Sequence, residues 1–329
     1  MKRQMWTNKL KINATPIFTK SIFQLANTII PYLFLMAVSV IFIKKDFPFW
    51  TILLLIPIES CFFVRIFILM HDCSHESFLK SEKATTIVGH ILGIFSFTSF
   101  YNWKQSHQIH HATTGNLDKR GVGDIMTMTV NEYKSLSKFK KLTYRLYRNP
   151  ITLFLFGPFY VFIFRQRFPT KLNNRKEIMS IFATNILLAI IITTMHFTIG
   201  LKVYIAVQLP VFFIGGSFGI WLFYIQHQFE DAYWEHNNSW DIFSASMEGS
   251  SYYKFPKILQ WFTGNIGLHN LHHLSPRIPN YNLVNSFKEI PASYKMNKFT
   301  MLYGLKSIFL ILWDENSKKL IDFYQFKKL

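Results

Sequence analysis

Four long apolar runs constrain this chain more than any other feature: Ser21 to Ile43, Phe47 to Met70, Ile178 to Gly200 and Val203 to Ile225. Each is close to the ~20 residues a helix needs to cross the ~30 Å hydrocarbon layer of a membrane. Inside that layer every backbone N–H and C=O must be satisfied within its own segment, so the runs are expected as helices. The expected fold class is an all-α membrane protein with four transmembrane helices in two hairpins. Half of the 329 residues are hydrophobic, which an ordinary soluble domain of net charge +18 would not show.

The charges give the expected orientation, because Lys and Arg stay with cytoplasmic loops. Of the 36 basic residues, only Lys44, Lys45 and Lys202 fall in the two short hairpin loops, and Arg65 falls inside a run. The N-terminus, C-terminus and long middle segment are therefore expected on the cytoplasmic side of the cell membrane, with a helical cap made from 71–177 and 226–329. The excess positive charge then faces anionic headgroups or an acidic soluble partner. Nucleic acid is not expected as a partner, since the basic residues bracket apolar runs instead of forming a soluble basic domain. The run from Ile87 to Tyr101 and the run from Ile151 to Phe164 are too short to cross, and are expected as shallow or re-entrant segments.

Eight of the 12 histidines fall in three five-residue windows. They are His71 and His75 in H-D-C-S-H, His107, His110 and His111 in H-Q-I-H-H, and His269, His272 and His273 in H-N-L-H-H. Helical residues three or four apart share a face, so each window aims at least two imidazoles at one point. His227 ends the fourth run as His71 ends the second, and is expected as a ninth ligand. His90, His196 and His236 lack such spacing and are expected to be structural or surface residues.

Nine imidazoles exceed what one metal takes, so two metals are the natural count. Imidazole suits iron, copper, nickel and zinc alike. The position at a lipid boundary narrows the choice: an acyl chain is the expected substrate, and breaking its C–H bonds needs a redox metal with dioxygen, as non-heme iron provides. Ligand histidines usually hand their second N–H to a carboxylate or carbonyl. Asp72, Glu76, Asp118, Asp124, Glu230 and Asp231 are candidates for that role. Asn265, four residues before His269, is expected to share its helix face and place a carboxamide or a bound water beside a metal. Pro276 should end that helix.

In this order the three windows resemble the histidine boxes of the integral-membrane fatty acid desaturase family. Asn116-Leu117-Asp118-Lys119-Arg120-Gly121, Tyr144-Arg145-Leu146-Tyr147-Arg148-Asn149-Pro150, Gln226-His227-Gln228-Phe229-Glu230-Asp231 and Leu274-Ser275-Pro276-Arg277 are similar to stretches of bacterial acyl-lipid desaturases. The resemblance extends to the Δ5-type phospholipid desaturases of Gram-positive bacteria, associated with membrane fluidity in the cold. It implies one desaturase domain over 1–329, two iron ions held by the eight box histidines and His227, and dioxygen as co-substrate. It also implies phospholipid acyl chains as substrate and a separate electron donor of ferredoxin or flavodoxin type.

Two departures qualify the resemblance. Acyl-CoA desaturases have four residues between the histidines of the first box, whereas three stand here, which favours acyl-lipid substrates. Those enzymes also carry an asparagine four residues before the ninth histidine, where this chain has Phe223. An acyl hydroxylase on the same scaffold and a membrane protein that holds or transports zinc are the competing readings.

Overall fold

The structure is a computed structural model that describes residues 9–291, 294 and 296–329. Four long helices carry the apolar runs: α1 (Phe18–Lys44), α2 (Trp50–Ser74), α6 (Arg175–Thr198) and α7 (Leu201–His227). Each extends a few residues beyond its run at the cap end, so the hydrophobic stretch continues as helix into the histidine-bearing region. Phe34, Phe182, Ile186 and Ile190 point outward from these helices and are exposed. A belt of large apolar side chains is stable against lipid and unfavourable against water, at about 25 cal/mol per Å². The chain is accordingly a membrane protein.

α2 lies at the centre, packed against α1, α7 and the shorter helix α3 (Glu82–Phe95). Its buried face is aromatic and aliphatic, with Phe62, Phe63, Ile66 and Leu69 meeting Val211 and Phe212 of α7. Pro31, Pro57 and Pro210 are carried within α1, α2 and α7. Polar side chains in this layer find partners on neighbouring helices, although Glu59 Oε2 and Gln208 Nε2 are buried without one among the described residues. Ser39 donates to Glu59 Oε1 at 2.7 Å, and Tyr32 donates to Gln208 at 3.2 Å. Arg65 does not reach out to the interface. Its guanidinium is buried beneath the Trp261 ring, 3.9 Å from the centroid, and donates to Thr28 Oγ1 at 2.9 Å and to the Trp261 carbonyl. It thereby ties α1 and α2 to the cap helix Lys257–Phe262.

The Ile87–Tyr101 run becomes the end of α3 and the start of α4 (Phe100–Thr113), which meet at a 102° bend. The bend returns the chain to the level of the second run's end, because His107 on α4 touches His75 just beyond α2. The Ile151–Phe164 run coils in wide π-type turns around Gly157-Pro158 and packs on α7, with Phe159 stacked on Phe213. The cap is completed by α5 (Lys138–Tyr147), α8 (His269–Leu274), α9 (Asn280–Phe287) and several one-turn helices. It also contains short strands that the all-α expectation did not include. β1 (Met128–Thr129) pairs in parallel with β4 (Leu312–Asp314), which pairs antiparallel with β5 (Lys319–Ile321), while β2 (Tyr252–Tyr253) pairs in parallel with β3 (Lys298–Phe299). Cys61 and Cys73 are free.

Candidate metal centre

The three windows and His227 converge on two adjacent clusters. His71, His75, His107, His111 and His272 form the first, and His110, His227, His269 and His273 the second. Within each, one ligand atom per residue lies within 4.8 Å of the others. Eight of the nine are buried and His111 is nearly so. His90, His196 and His236 lie elsewhere, as their spacing predicts: His90 sits between Phe100 and Tyr101, and His196 against Phe197.

Helix geometry explains the partition. His107 and His111 are one turn apart on α4 and aim at the first cluster, while His110, rotated by about 100° from His111, aims at the second. α8 behaves in the same manner, sending His269 and His273 to the second cluster and His272 to the first. One short helix therefore serves both. The rings are held by packing and hydrogen bonds: Trp103 stacks on His107 at 4.3 Å, and His227 Nδ1 faces the Gly249 carbonyl at 3.2 Å. Gln226 beside His227 donates to the Ile266 carbonyl at 2.9 Å and accepts the Ser251 N–H at 3.0 Å, fixing the strand and turn that lead into α8.

The donor set fits metal ions. Nε2 atoms approach one another at 2.9–3.2 Å in pairs such as His75 with His107, His227 with His269, and His111 with His272. His227 Nδ1 donates its proton to the Gly249 carbonyl, so its Nε2 lone pair is turned inward towards His110 and His269 Nε2, at 3.1 and 2.9 Å, and lone pairs gathered this closely repel unless a cation lies between them. Metal–nitrogen bonds of about 2.0–2.1 Å place neighbouring ligand nitrogens about 3.0 Å apart at right angles and about 3.4 Å apart in a tetrahedron. Burial first, then repulsion from neighbouring imidazoles, holds His107, His111, His269, His272 and His273 well below the ordinary histidine value. They are neutral near pH 7, the form in which imidazole ligates.

The expected supporting groups divide. Asp72 is buried, with Oδ1 3.4 Å from His71 Nδ1 and Oδ2 accepting both the backbone and side-chain N–H of Asn280 at 2.8 Å. Asp231 is not beside a histidine: it is exposed and pairs with Lys319 at 3.5 Å, as Glu230 does at 2.8 Å. Asn265 is not on the helix of His269 either. That helix begins at His269, and Asn265 lies in the preceding turn at φ 57° with its amide donating to the Asn280 carbonyl at 3.1 Å. Gly264 and Gly267 keep the segment in turns, and so defeat the one-turn spacing argument. Glu76 pairs with Lys104 and Arg277 at the mouth of a cleft leading to His75 and His111. Asp124 lines a cavity with His110, Phe223 and His227, and burial pushes its carboxyl up to about 6. Phe223 fills the space between His110 and His227, with ring centroids 5.1 and 5.6 Å away, so an apolar ring stands where the acyl-CoA enzymes carry asparagine.

Gly123 is a requirement the spacing did not reveal. Its φ is +74°, and a Cβ there would lie 2.3 Å from the Ser106 carbonyl oxygen and 3.0 Å from His110 Cβ. Gly121, at φ +98°, has only Met126 Sδ near the same position, at 3.6 Å. Gly123→Ala is expected to push α4 off its seat and lower both bound metal and melting temperature. Gly121→Ala should show only backbone strain of roughly 1–2 kcal/mol. Equal effects in melting and metal analysis would refute the close-approach explanation.

Asp118 holds a surface staple. Its carboxylate accepts from Asn237 N at 2.8 Å and from His236 Nδ1 at 2.7 Å, and Glu315 lies 3.4 Å from His236 Nε2. Hydrogen bonds to Asp118 and then Glu315 raise the His236 value, while the Asn237 N–H and then His236 lower that of Asp118. A raised histidine contributes stability that is complete below about pH 6.5 and is lost as pH rises through its folded value. A lowered aspartate contributes above about pH 3.9 and loses that as pH falls. The melting-temperature gap between wild type and His236→Gln should therefore narrow from pH 6 towards about pH 8. A gap that does not change with pH would remove the staple.

Residues 47–304 match the fatty acid desaturase family. The chain is 42% identical over 328 residues to a fatty acid desaturase of Bacillus subtilis, covering all of this chain and 93% of that protein. It is 26% identical over 235 residues to an sn-1 oleoyl-lipid 12-desaturase of Anabaena variabilis, covering 69% of this chain and 65% of the relative. An sn-2 acyl-lipid omega-3 desaturase (ferredoxin) of Arabidopsis thaliana chloroplasts is 26% identical over 248 residues, 69% of this chain and 52% of the relative. The matched region runs from the second long helix past the third histidine window and takes in every histidine of both clusters, so the chain belongs to the fatty acid desaturase family.

Proposed function

We propose that this membrane enzyme introduces a cis double bond into acyl chains of membrane phospholipids, with two iron ions held by the nine clustered histidines. The observation that carries the reading is the all-nitrogen double cluster at the lipid-boundary ends of α2 and α7. His71, His75, His107, His111 and His272 hold one iron, and His110, His227, His269 and His273 the other. Bound iron supplies activation of dioxygen for hydrogen abstraction, chemistry that zinc lacks. Two neighbouring methylenes each lose one hydrogen, O2 takes up these two with two electrons and two protons, and two waters leave. Asp72 accepts the outer N–H of His71, and Trp103 orients His107.

The electrons come from a ferredoxin or flavodoxin-type donor, a reading supported by the excess of basic residues and by the ferredoxin in the name of the Arabidopsis relative. The three-residue spacing in the first box and the acyl-lipid names of relatives support a phospholipid substrate. The Δ5 position and a role in cold adaptation follow from the sequence resemblance. The whole chain acts as one domain in the cell membrane, with both termini and the cap cytoplasmic, as the distribution of Lys and Arg supports.

The test is expression in a host without its own desaturase, followed by mass analysis and double-bond localisation on extracted lipids. Loss of two hydrogens per acyl chain, with the double bond between carbons 5 and 6, is expected, together with about two irons per protein. Gain of oxygen would make the protein a hydroxylase, and bound zinc with unchanged lipids would end the enzymatic reading.

A further inference from the structure

We infer that α5 is an in-plane membrane anchor whose basic flanks bind anionic phospholipid headgroups. Phe139, Leu142 and Leu146 follow the i, i+3, i+7 spacing of a single helix face and are 74%, 53% and 56% exposed. Tyr144 on the opposite face is buried, with its hydroxyl bonded to the Ile311 carbonyl and the Met128 N–H. The helix is thus docked on the cap by one side and displays apolar side chains on the other. Lys138 and Lys140 flank the apolar stripe, and neither has an ion-pair partner among the described residues. A basic amphipathic helix of this pattern lies in the headgroup layer.

The level of α5 in the molecule favours lipid over a protein as the occupant. Arg148, directly after the helix, donates to the Tyr224 hydroxyl at 2.8 Å, and Tyr224 is one turn from the cap end of the membrane helix α7. The chain then passes into 151–164, whose exposed Ile151, Leu155 and Phe156 continue the apolar surface down the side of α7. Two shorter helices sit at the same level with the same character. Met301–Ser307 rests Gly304 against Ile225 and Trp221 of α7 and exposes Leu302 and Leu305 beside Lys306. Lys257–Phe262 is bound to Arg65 of α2 and exposes Ile258 beside Lys257. All three helices thus expose apolar residues and lysines while being tied to α7 or α2, near the cap ends of the membrane helices.

The test uses the full chain with Leu142→Cys carrying a bimane label, and the unsubstituted chain, with Cys61 and Cys73, as the labelling blank. In vesicles of equal parts phosphatidylcholine and phosphatidylglycerol, nitroxide lipids labelled near the headgroup should quench the fluorophore strongly. Aqueous iodide should quench it several-fold less than in the denaturant-unfolded chain. Lys138→Gln/Lys140→Gln should lose several-fold of the lipid quenching, as should the original lysines in pure phosphatidylcholine or at ~1 M salt, where the screening length is about 3 Å. Iodide quenching as complete as in the unfolded chain would overturn the proposal. Protection that appears only when a membrane-free protein extract is added would overturn it in favour of a protein partner. Lipid quenching independent of phosphatidylglycerol would remove the headgroup half. The readout needs neither metal nor activity, so its failure is separate from failure of the desaturase reading.

Discussion

His110→Ala is expected to abolish unsaturation while leaving roughly one of two metal ions per chain. The substitution removes one of four nitrogens from the second cluster and none of the five from the first. His272→Ala, although it lies in the other window, should deplete the first cluster and spare the second. Losing both ions from either variant would contradict the partition seen here, as would any variant of the nine that kept full activity. The measurement is iron per protein by elemental analysis on purified membranes, alongside gas chromatography of fatty acids from the desaturase-free host. Loss of activity should approach the detection limit in both cases, because on the proposed reading the four-electron reduction of dioxygen to two waters would need both metal positions filled. The protein should still reach the membrane, since α1, α2, α6 and α7 do not depend on the clusters for their burial in lipid.

The largest expected effect on stability lies at Arg148. It is buried and donates to five acceptors from three parts of the chain: Met126 O and Thr127 Oγ1 at 2.9 Å, Tyr224 Oη at 2.8 Å, and Gln228 Oε1 and Leu310 O at 3.1 Å. Tyr224 and Gln228 bracket His227, so the guanidinium fixes the end of α7 that delivers a nitrogen to the second cluster. Removing the guanidinium strands buried neutral acceptors, at a cost of about 1–3 kcal/mol for each left unpaired. Arg148→Met should therefore lower the melting temperature in detergent sharply. Arg148→Lys, which keeps the charge but cannot fan across five acceptors, should recover part of the loss. A lysine variant as stable as wild type would mean that charge alone is what matters, and a methionine variant as stable would deny the hub altogether.

The parts of this architecture that were legible in the sequence are those governed by period and length. A run near twenty residues has one outcome in lipid, so all four long helices fall where the apolar runs lie. Imidazoles four apart on a helix share a face, so His107 with His111 and His269 with His273 each entered one cluster together, and His227 joined from the end of α7. What sequence could not give depends on how separate helices meet. Whether His110 and His272 serve the cluster of their own window or the neighbouring one is decided by the rotation of α4 and α8 against each other. Asn265 failed for a local reason: the glycines around it hold a turn, and spacing has meaning only within a helix. Asp231 failed because adjacency to His227 ceases to imply proximity once α7 has ended. For Arg65, inside an apolar run, the sequence left open a paired role or a reach to the interface; it is paired, and Trp261, 196 positions later, covers it. Strands of two and three residues such as β1 and β4 carry too little pattern to announce themselves.

Both clusters draw nitrogens from α4, and no carboxylate of the described residues belongs to either. In carboxylate-bridged two-metal sites the bridge sets the separation, and it can shift or detach as the metals change charge. Here the separation is a matter of backbone: His107 and His111 look to one side of a single helix and His110 to the other. The two positions are thus held like the arms of a rigid caliper, and their spacing should survive the exchange of one metal for another or a change in oxidation state.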